Sequence, residues 1–380
     1  MALIASSYHP YFGGVEEHVR QVARELQNAG TPVEVWTVDR GEHLGERVLD
    51  GVRVRYLPTP LPARRIGALA RFIVRSPRAR RAWRSAYEQF SPTMLHVHCF
   101  GPNGIYALRL RRSTGTPLAI TSHGETLADD NGAFQRSRLL RRGLTDALSR
   151  AAFVTAPSQY VLDDLRTRYA LTDGTVVPNG VDLSIGPDRK SAAPVDRPYL
   201  LGVGRLGRMK GFDLLIEAFA QSGLTASHRL LIAGDGPERD ALTGLADSQG
   251  IADEVRLLGR LSAQQIADAM SHAQCVVVPS RSEAFGIVAL EAWRSSAALI
   301  MTSRGGAPGF VHDGVDGLLV DPLDTTALAG LMIKVATDDV LRTGLGRAGH
   351  ARVGEFTWRR VADDYHALYR SVEDARAVTA

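Results

Sequence analysis

Lysine is almost missing from this chain. Of 45 basic residues among 380, only Lys190, Lys210 and Lys334 are lysines. Cysteine is scarcer still. Cys99 and Cys275 stand far apart with no CxxC pair, which excludes a disulfide framework and points to free thiols in a reducing compartment. No apolar run approaches the roughly 18–20 residues that a spanning helix needs. The opening MALIASSYHPYFGG has no basic stretch before its apolar residues and no cleavage-site pattern, so no signal peptide is expected. A dominant charge is also lacking. The formal balance of +4 is too small to argue for nucleic acid, and no basic module interleaved with aromatics occurs. The expectation is a cytoplasmic protein with no nucleic-acid partner. A hydrophobic fraction of 44 % with 23 % charged residues then rules out disordered, collagen-like and fibrous classes.

What the chain does have is alternation. Ala2–Ser6, Val33–Val38, Val52–Tyr56, Leu95–Cys99, Leu118–Thr121, Phe153–Ala156 and Thr175–Val177 read as strands. Between them, Val15–Ala29 carries Val15, Val19, Val22, Ala23 and Leu26 on one stripe and stops at Gly30, and Arg64–Phe90 is helical and very basic. Leu183–Pro198 has the Pro, Ser and Asp content of a linker. The pattern then restarts, with strands at Tyr199–Val203, Arg229–Ala233, Val255–Leu258, Cys275–Val278, Leu299–Thr302 and Leu318–Val320. Helices lie between them at Phe212–Gln221, Glu238–Ser248, Ala263–His272 and Ile287–Ser295. Strand–helix repetition without hairpin signals predicts parallel sheets with right-handed crossovers, hence an α/β protein of two Rossmann-like domains facing each other. Ligands in such sheets sit beyond the carboxyl ends of the strands.

Those ends hold the candidate chemistry. Pro279–Ala292 runs from the strand CVVVP into a loop with Glu283, Phe285 and Gly286, then into a helix placing Glu291 about two turns along. Gly286 at a helix start leaves N–H groups for an anion. A carboxylate such as Glu291 among apolar neighbours calls for donors such as ribose hydroxyls. The plain alternative is one glutamate complementing the helix dipole and one surface glutamate. Gly202–Gly211 (GVGRLGRMKG) puts Arg205 and Lys210 where basic groups clamp a diphosphate, against the alternative of two solvated cations. A lysine in so arginine-rich a chain suggests that a compact ammonium is wanted. Gly13–Gly14 after the first strand allow close approach of backbone to phosphate or sugar, and Gly234–Pro237 forms a tight turn. His98 and His123 each end a strand. His96 and His98 invite a zinc reading, but the spacing shows no further ligand cluster, so no metal is expected.

Taken in order, these segments resemble the retaining glycosyltransferases of family 4, the GT-B group that includes sucrose synthases and bacterial mannosyltransferases. The resemblance rests on Pro10-Tyr-Phe-Gly-Gly-Val-Glu16, Ser122-His-Gly124, Pro178-Asn-Gly-Val-Asp182, Gly204-Arg-Leu with Lys210-Gly211, Gly234-Asp-Gly-Pro237, and Glu283 and Glu291 with seven residues between. It implies a GT-B fold with a cleft between an acceptor domain at 1–183 and a donor domain at 184–355. Residues 356–380, beginning Phe356-Thr-Trp358, would then form a helix crossing back to the first domain. It implies a retaining hexosyltransferase acting on a UDP- or GDP-sugar and an acceptor hydroxyl of a small molecule, glycan or lipid-linked carrier, without cofactor or metal. Glu291 would hold the ribose. Glu283 with the Phe285, Gly286 and Ile287 segment would bind donor sugar and phosphate. Arg205 and Lys210 would stabilise the departing diphosphate, Gly13, Gly14, Gly204 and Gly234 would line the donor, and His123 would sit by the transferred sugar. Two departures stand out: Pro308-Gly309 replaces the family's Pro-Glu, and Arg294-Ser-Ser-Ala-Ala298 replaces its small-Gly-Pro run. Neither removes a catalytic group that the resemblance implies.

Three other readings share some of these features. A non-catalytic sugar-nucleotide-binding partner subunit is motivated by Gly309, and a GT-B epimerase shares the fold. An NAD-linked oxidoreductase lacks its GxGxxG in Ser7–Gly14. Charge adds a last expectation. Residues 1–185 balance at +7 and 186–380 at −3, with arginines concentrated in 64–84 and 136–142. Ile66, Leu69, Phe72, Ile73 and Trp83 interleave the first cluster, a composition suited to peripheral contact with an anionic inner membrane face.

Overall fold

The computed structural model describes residues 1–62, 66–127, 132–188 and 190–379. Packing divides the chain into two compact units, Met1–Pro178 with Trp358–Ala380, and Asn179–Thr357. The sequence reading of 64 and 65 as the start of a helix lies outside the described residues.

The first unit holds an eight-stranded sheet. Its strands are β1 (Ala2–Ala5), β2 (Glu34–Val38), β3 (Glu46–Leu49), β4 (Val52–Leu57), β5 (Leu95–His98), β6 (Leu118–Thr121), β7 (Phe153–Ala156) and β8 (Thr175–Val176), in the order β3-β4-β2-β1-β5-β6-β7-β8. The helices are α1 (Gly14–Asn28), α2 (Ile66–Phe90), α3 (Pro102–Thr114), α4 (Ala133–Arg136), α5 (Arg138–Arg150) and α6 (Gln159–Tyr169). All described pairings but one are parallel. The exception corrects the expectation of a sheet without hairpins: β3 runs antiparallel to β4. Asp50 and Gly51, with φ of 49° and 79°, form the two-residue turn between them. An Asp-Gly pair in the left-handed region is the strongest short-range hairpin signal, so the sequence did carry it.

The second unit repeats the plan with six parallel strands. They are β9 (Tyr199–Val203), β10 (Arg229–Ala233), β11 (Val255–Gly259), β12 (Cys275–Val278), β13 (Leu299–Thr302) and β14 (Leu318–Val320), in the order β11-β10-β9-β12-β13-β14. Helices α7 (Phe212–Gln221), α8 (Arg239–Ser248), α9 (Ala263–His272), α10 (Ile287–Arg294), α11 (Thr325–Thr337) and α12 (Asp339–Arg352) cover it. The four residues of β12 are all fully or almost fully buried, as expected of a strand covered on both faces. One face of the core is aromatic. Phe285 stacks on Phe310 at 4.4 Å between ring centroids, and Phe356 and Trp293 close the cluster. A parallel bridge from Val181 to Thr357 joins the start of this unit to its end.

Helix α13 (Trp358–Thr379) returns to the first unit and packs on α1. Val361, Ala362, Tyr365 and Tyr369 are buried at helical spacing, a stripe worth several kcal/mol at roughly 1.5–3 kcal/mol for each large side chain. Its two tyrosines also answer polar groups inside. The His96 ring lies between the hydroxyls of Tyr369 (2.6 Å) and Thr121 (2.7 Å), and the Tyr365 hydroxyl lies 3.1 Å from His18 Nε2.

Burial pushes His96 down to about 3. The folded state therefore binds no proton there across the range in which an unfolded histidine, near 6.5, becomes charged. The unfolded state binds more protons between those values, so this contribution to stability is complete above about pH 6.5. It is lost as pH falls toward 3, at about 1.4 kcal/mol per unit. Denaturant midpoints of the first unit are expected to drop from about pH 7 to about pH 5. A midpoint that stays level over that range contradicts the burial of a neutral His96.

Candidate functional site

In a sheet whose strand order reverses, the loops leaving the two strands at the reversal diverge and open a crevice. In the second unit these strands are β9 and β12. The β9 loop carries Gly204, Arg205 and Lys210, and the β12 loop carries Glu283, Phe285 and Gly286. The structure brings the two loops together. Lys210 Nζ lies 2.7 Å from Glu283 Oε2, and Ser280 Oγ donates to the same oxygen at 2.8 Å. Glu283 is 8 % exposed. Its carboxylate has exchanged water for one cation and one hydroxyl, the pairing a buried charge requires.

Two devices hold this arrangement, and sequence reasoning missed the first. Arg281 forms a two-pronged pair with Asp213, at 2.7 and 2.6 Å, and also donates to the carbonyl of Arg208 at 2.8 Å. The β12 loop is thereby clamped to the first turn of α7 and to the segment that carries Lys210. Burial works to raise the Asp213 pKa, but the Arg281 guanidinium outweighs it and holds the carboxyl below its ordinary value. The signal available in sequence was the Asp three residues beyond Lys210, the first-turn acid of a helix. The second device is backbone contact. Glu283 N–H donates to the Arg304 carbonyl, and the Glu283 carbonyl accepts from Gly306 N–H. A Cβ on Gly305 would stand 2.0 Å from the Glu283 carbonyl oxygen, at φ +137°.

Among the other sequence candidates of this unit, Gly286 caps α10 with φ +89° and no side-chain cap, and its carbonyl accepts from Ala289 N–H at 3.0 Å. Ile287 is the first residue of α10 and is partly exposed. The Phe285 ring belongs to the aromatic core, leaving its backbone for any ligand. Glu291 is the fifth residue of α10, little more than one turn in rather than two, and is partly exposed rather than deep. Arg205 is exposed on the β9 loop. Gly234 packs backbone on backbone: a Cβ there would stand 1.8 Å from the Gly204 carbonyl oxygen, at φ +144°. This contact alone accounts for glycine at that position.

The reversal in the first unit falls between β1 and β5. The β1 loop leads through Gly13, in extended backbone, to Gly14 at the start of α1. The loops after β5 and β6 are bolted together by Glu125. Its carboxylate accepts from Phe100 N–H (2.7 Å), His123 N–H (2.8 Å) and Ser122 Oγ (2.9 Å). Burial raises the Glu125 pKa against those donors. The clamp fixes the backbone of His123. Beside it the structure corrects the expectation that no third ligand accompanies the histidines of β5. His18 from α1, His98 from β5 and His123 bring one ring nitrogen each to within 4.8 Å of one another. Burial, reinforced by the neighbouring rings, holds His98 and His123 well below the usual histidine range. Residues from three elements meet here, at sequence separations that no spacing rule captures.

Residues 12–185 match the family model described as Glycosyltransferase Family 4, and residues 187–352 match Glycosyl transferases group 1. A D-inositol 3-phosphate glycosyltransferase of Actinosynnema mirum is 31 % identical, over 95 % of this chain and 93 % of that protein. Among solved structures, the sucrose-phosphate synthase of Thermosynechococcus elongatus aligns at a TM-score of 0.84 with 26 % identity, covering 98 % of this chain and 99 % of that one. Anabaena HepE in complex with UDP-glucose aligns at 0.78 with 19 % identity, covering 98 % and 100 %, a likeness of fold.

Gly305→Ala is expected to lower the stability of the second unit by roughly 2–3 kcal/mol in denaturant unfolding, because backbone must move from backbone. Unchanged unfolding would mean that the Glu283 loop does not depend on this approach.

Proposed function

Because the chain belongs to glycosyltransferase family 4, with the GT-B fold, and uses a nucleotide sugar, we propose that it moves a hexose from a UDP- or GDP-sugar to an acceptor hydroxyl with retention of configuration. The Lys210–Glu283 pair at the strand reversal carries this reading. In transfer, the bond from the anomeric carbon to the diphosphate oxygen breaks and a bond to the acceptor oxygen forms. The diphosphate leaves with the electron pair and takes up the acceptor proton. Negative charge grows on the leaving oxygens, and an ammonium about 4 Å away in surroundings of effective dielectric near 20 is worth about 4 kcal/mol. Lys210 supplies that ammonium, Arg205 a second cation, and the N-terminus of α10 its N–H groups. These groups do for the diphosphate what a divalent cation does elsewhere, so the transfer step itself runs without one. Glu283, held by Lys210 and Ser280, is positioned to accept from sugar hydroxyls through its other oxygen. Glu291 takes the ribose, and His123 contacts the transferred sugar.

On this reading Lys210→Ala lowers kcat by about 100- to 1000-fold, the cost of removing one preorganised group that meets developing charge. Glu283→Ala also loses transfer, and both proteins keep the circular dichroism of the parent. A panel of nucleotide sugars, with and without acceptor, identifies base and sugar and separates transfer from epimerisation. Full activity of both variants on the best donor would overturn the site.

The acceptor reading includes a membrane. On α2, Ser76, Ala79, Trp83 and Ala86 are buried, at spacings of three and four. Elsewhere on the helix Arg71, Arg75, Arg78 and Arg81 are exposed, with Ile73 and Val74 at 62 % and 64 % exposure. No described helix is long and apolar enough to cross a membrane. Arginines around two exposed aliphatic side chains instead suit the surface of an anionic bilayer, at about 1 kcal/mol per basic residue near the surface. The protein is expected to co-sediment with phosphatidylglycerol-rich vesicles at low salt, and Ile73→Asp with Arg75→Glu to abolish this. No sedimentation at low salt would end the membrane reading.

A further inference from the structure

We propose that His18, His98 and His123 form a binding site for a transition-metal ion of the zinc class, and that an ion held there inhibits transfer. The geometry carries the first half. Two nitrogens bound to one tetrahedral zinc at about 2.05 Å stand roughly 3.3–3.4 Å apart. His98 Nδ1 and His123 Nε2 face each other at 3.4 Å, long for a good hydrogen bond and matched to that separation. The three ring centroids lie 4.7–5.6 Å apart, and one nitrogen of each ring lies within 4.8 Å of the other two.

Chemistry and support agree with the geometry. Neutral imidazole is the ligating form, and it prefers zinc, copper and nickel over magnesium or calcium, which take oxygen ligands. Partners outside the trio hold two of its members, while the buried Nε2 of His98 has no hydrogen-bond partner among the described residues. His18 Nε2 meets the Tyr365 hydroxyl at 3.1 Å, and the His123 backbone is fixed by Glu125 at 2.8 Å. Such outer contacts set ring orientation in metal sites. His18 and His98 are 1 % and 0 % exposed, while His123 is partly exposed. Three protein ligands with one accessible side leave a fourth position for water or another small ligand, the open form of a zinc site. The inhibitory half rests on the reading of His123 as a sugar contact: a ring nitrogen engaged by an ion is no longer available to a hydroxyl.

The test keeps binding and activity apart. The protein, freed of metal by chelation, is titrated with Zn2+ by calorimetry and with Co2+ by visible absorption. One equivalent is expected, with the intense absorption of tetrahedral cobalt, and excess Mg2+ does not compete. His98→Gln, judged folded by circular dichroism, weakens binding at least 10-fold. Should that variant not fold, crystals of the parent soaked in Zn2+ give an anomalous peak between the three rings. A peak elsewhere, no peak, or unchanged affinity in folded His98→Gln overturns the site. Zinc at that position with full transfer rates overturns inhibition and removes His123 from the chemistry. The Lys210→Ala result stands apart from all of these outcomes.

Discussion

One carboxylate gives the loops of the second unit their order. A nearly buried carboxylate needs partners, and those of Glu283 come from both sides of the strand reversal, Lys210 from the β9 loop and Ser280 from its own. Everything around it serves that requirement. Arg281 ties its loop to Asp213 on α7, and Gly305 admits its carbonyl at a distance no side chain would tolerate. The cation that the proposed chemistry needs is thus held in position by the anion that the fold must satisfy.

The first unit holds a buried ion pair of its own, Arg55 on Glu34 at 2.7 Å, and a second kind of buried polar group besides. Burial holds His96, His98 and His123 below the usual histidine range, and the His96 ring is met by Tyr369 of α13 and Thr121 of β6. An uncharged cluster is cheaper to bury than an ion pair, but it ties the unit to neutral and alkaline conditions. The two halves of the chain therefore differ in net charge, and both bury an ion pair, but the first carries a set of buried imidazoles as well.

Much of this was legible in sequence because parallel strands buried on both faces read as apolar runs, and glycines after them mark turns into helices. The placement of Lys210, Glu283 and Gly286 at one end of the sheet was legible because each follows a strand by eight residues or fewer. The β3–β4 hairpin was passed over although Asp50-Gly51 announces it, since the surrounding strand–helix rhythm argued for crossovers. The depth of Glu291 was misjudged from its apolar neighbours in sequence, because helical neighbours point in different directions. The Arg281–Asp213 clamp and the histidine trio were hidden for another reason. Their members meet only through the sheet order, which no local spacing encodes.

Helix α13 has a consequence in time. Translation releases the first unit's sheet long before the helix that covers part of it, with all of Asn179–Thr357 emerging in between. Until Tyr365 and Tyr369 leave the ribosome, the polar face of His96 and the apolar seam of α1 lack their cover. The segment that finishes the first unit is made only after the whole of the second, so synthesis halted before Trp358 leaves the first unit without its cover.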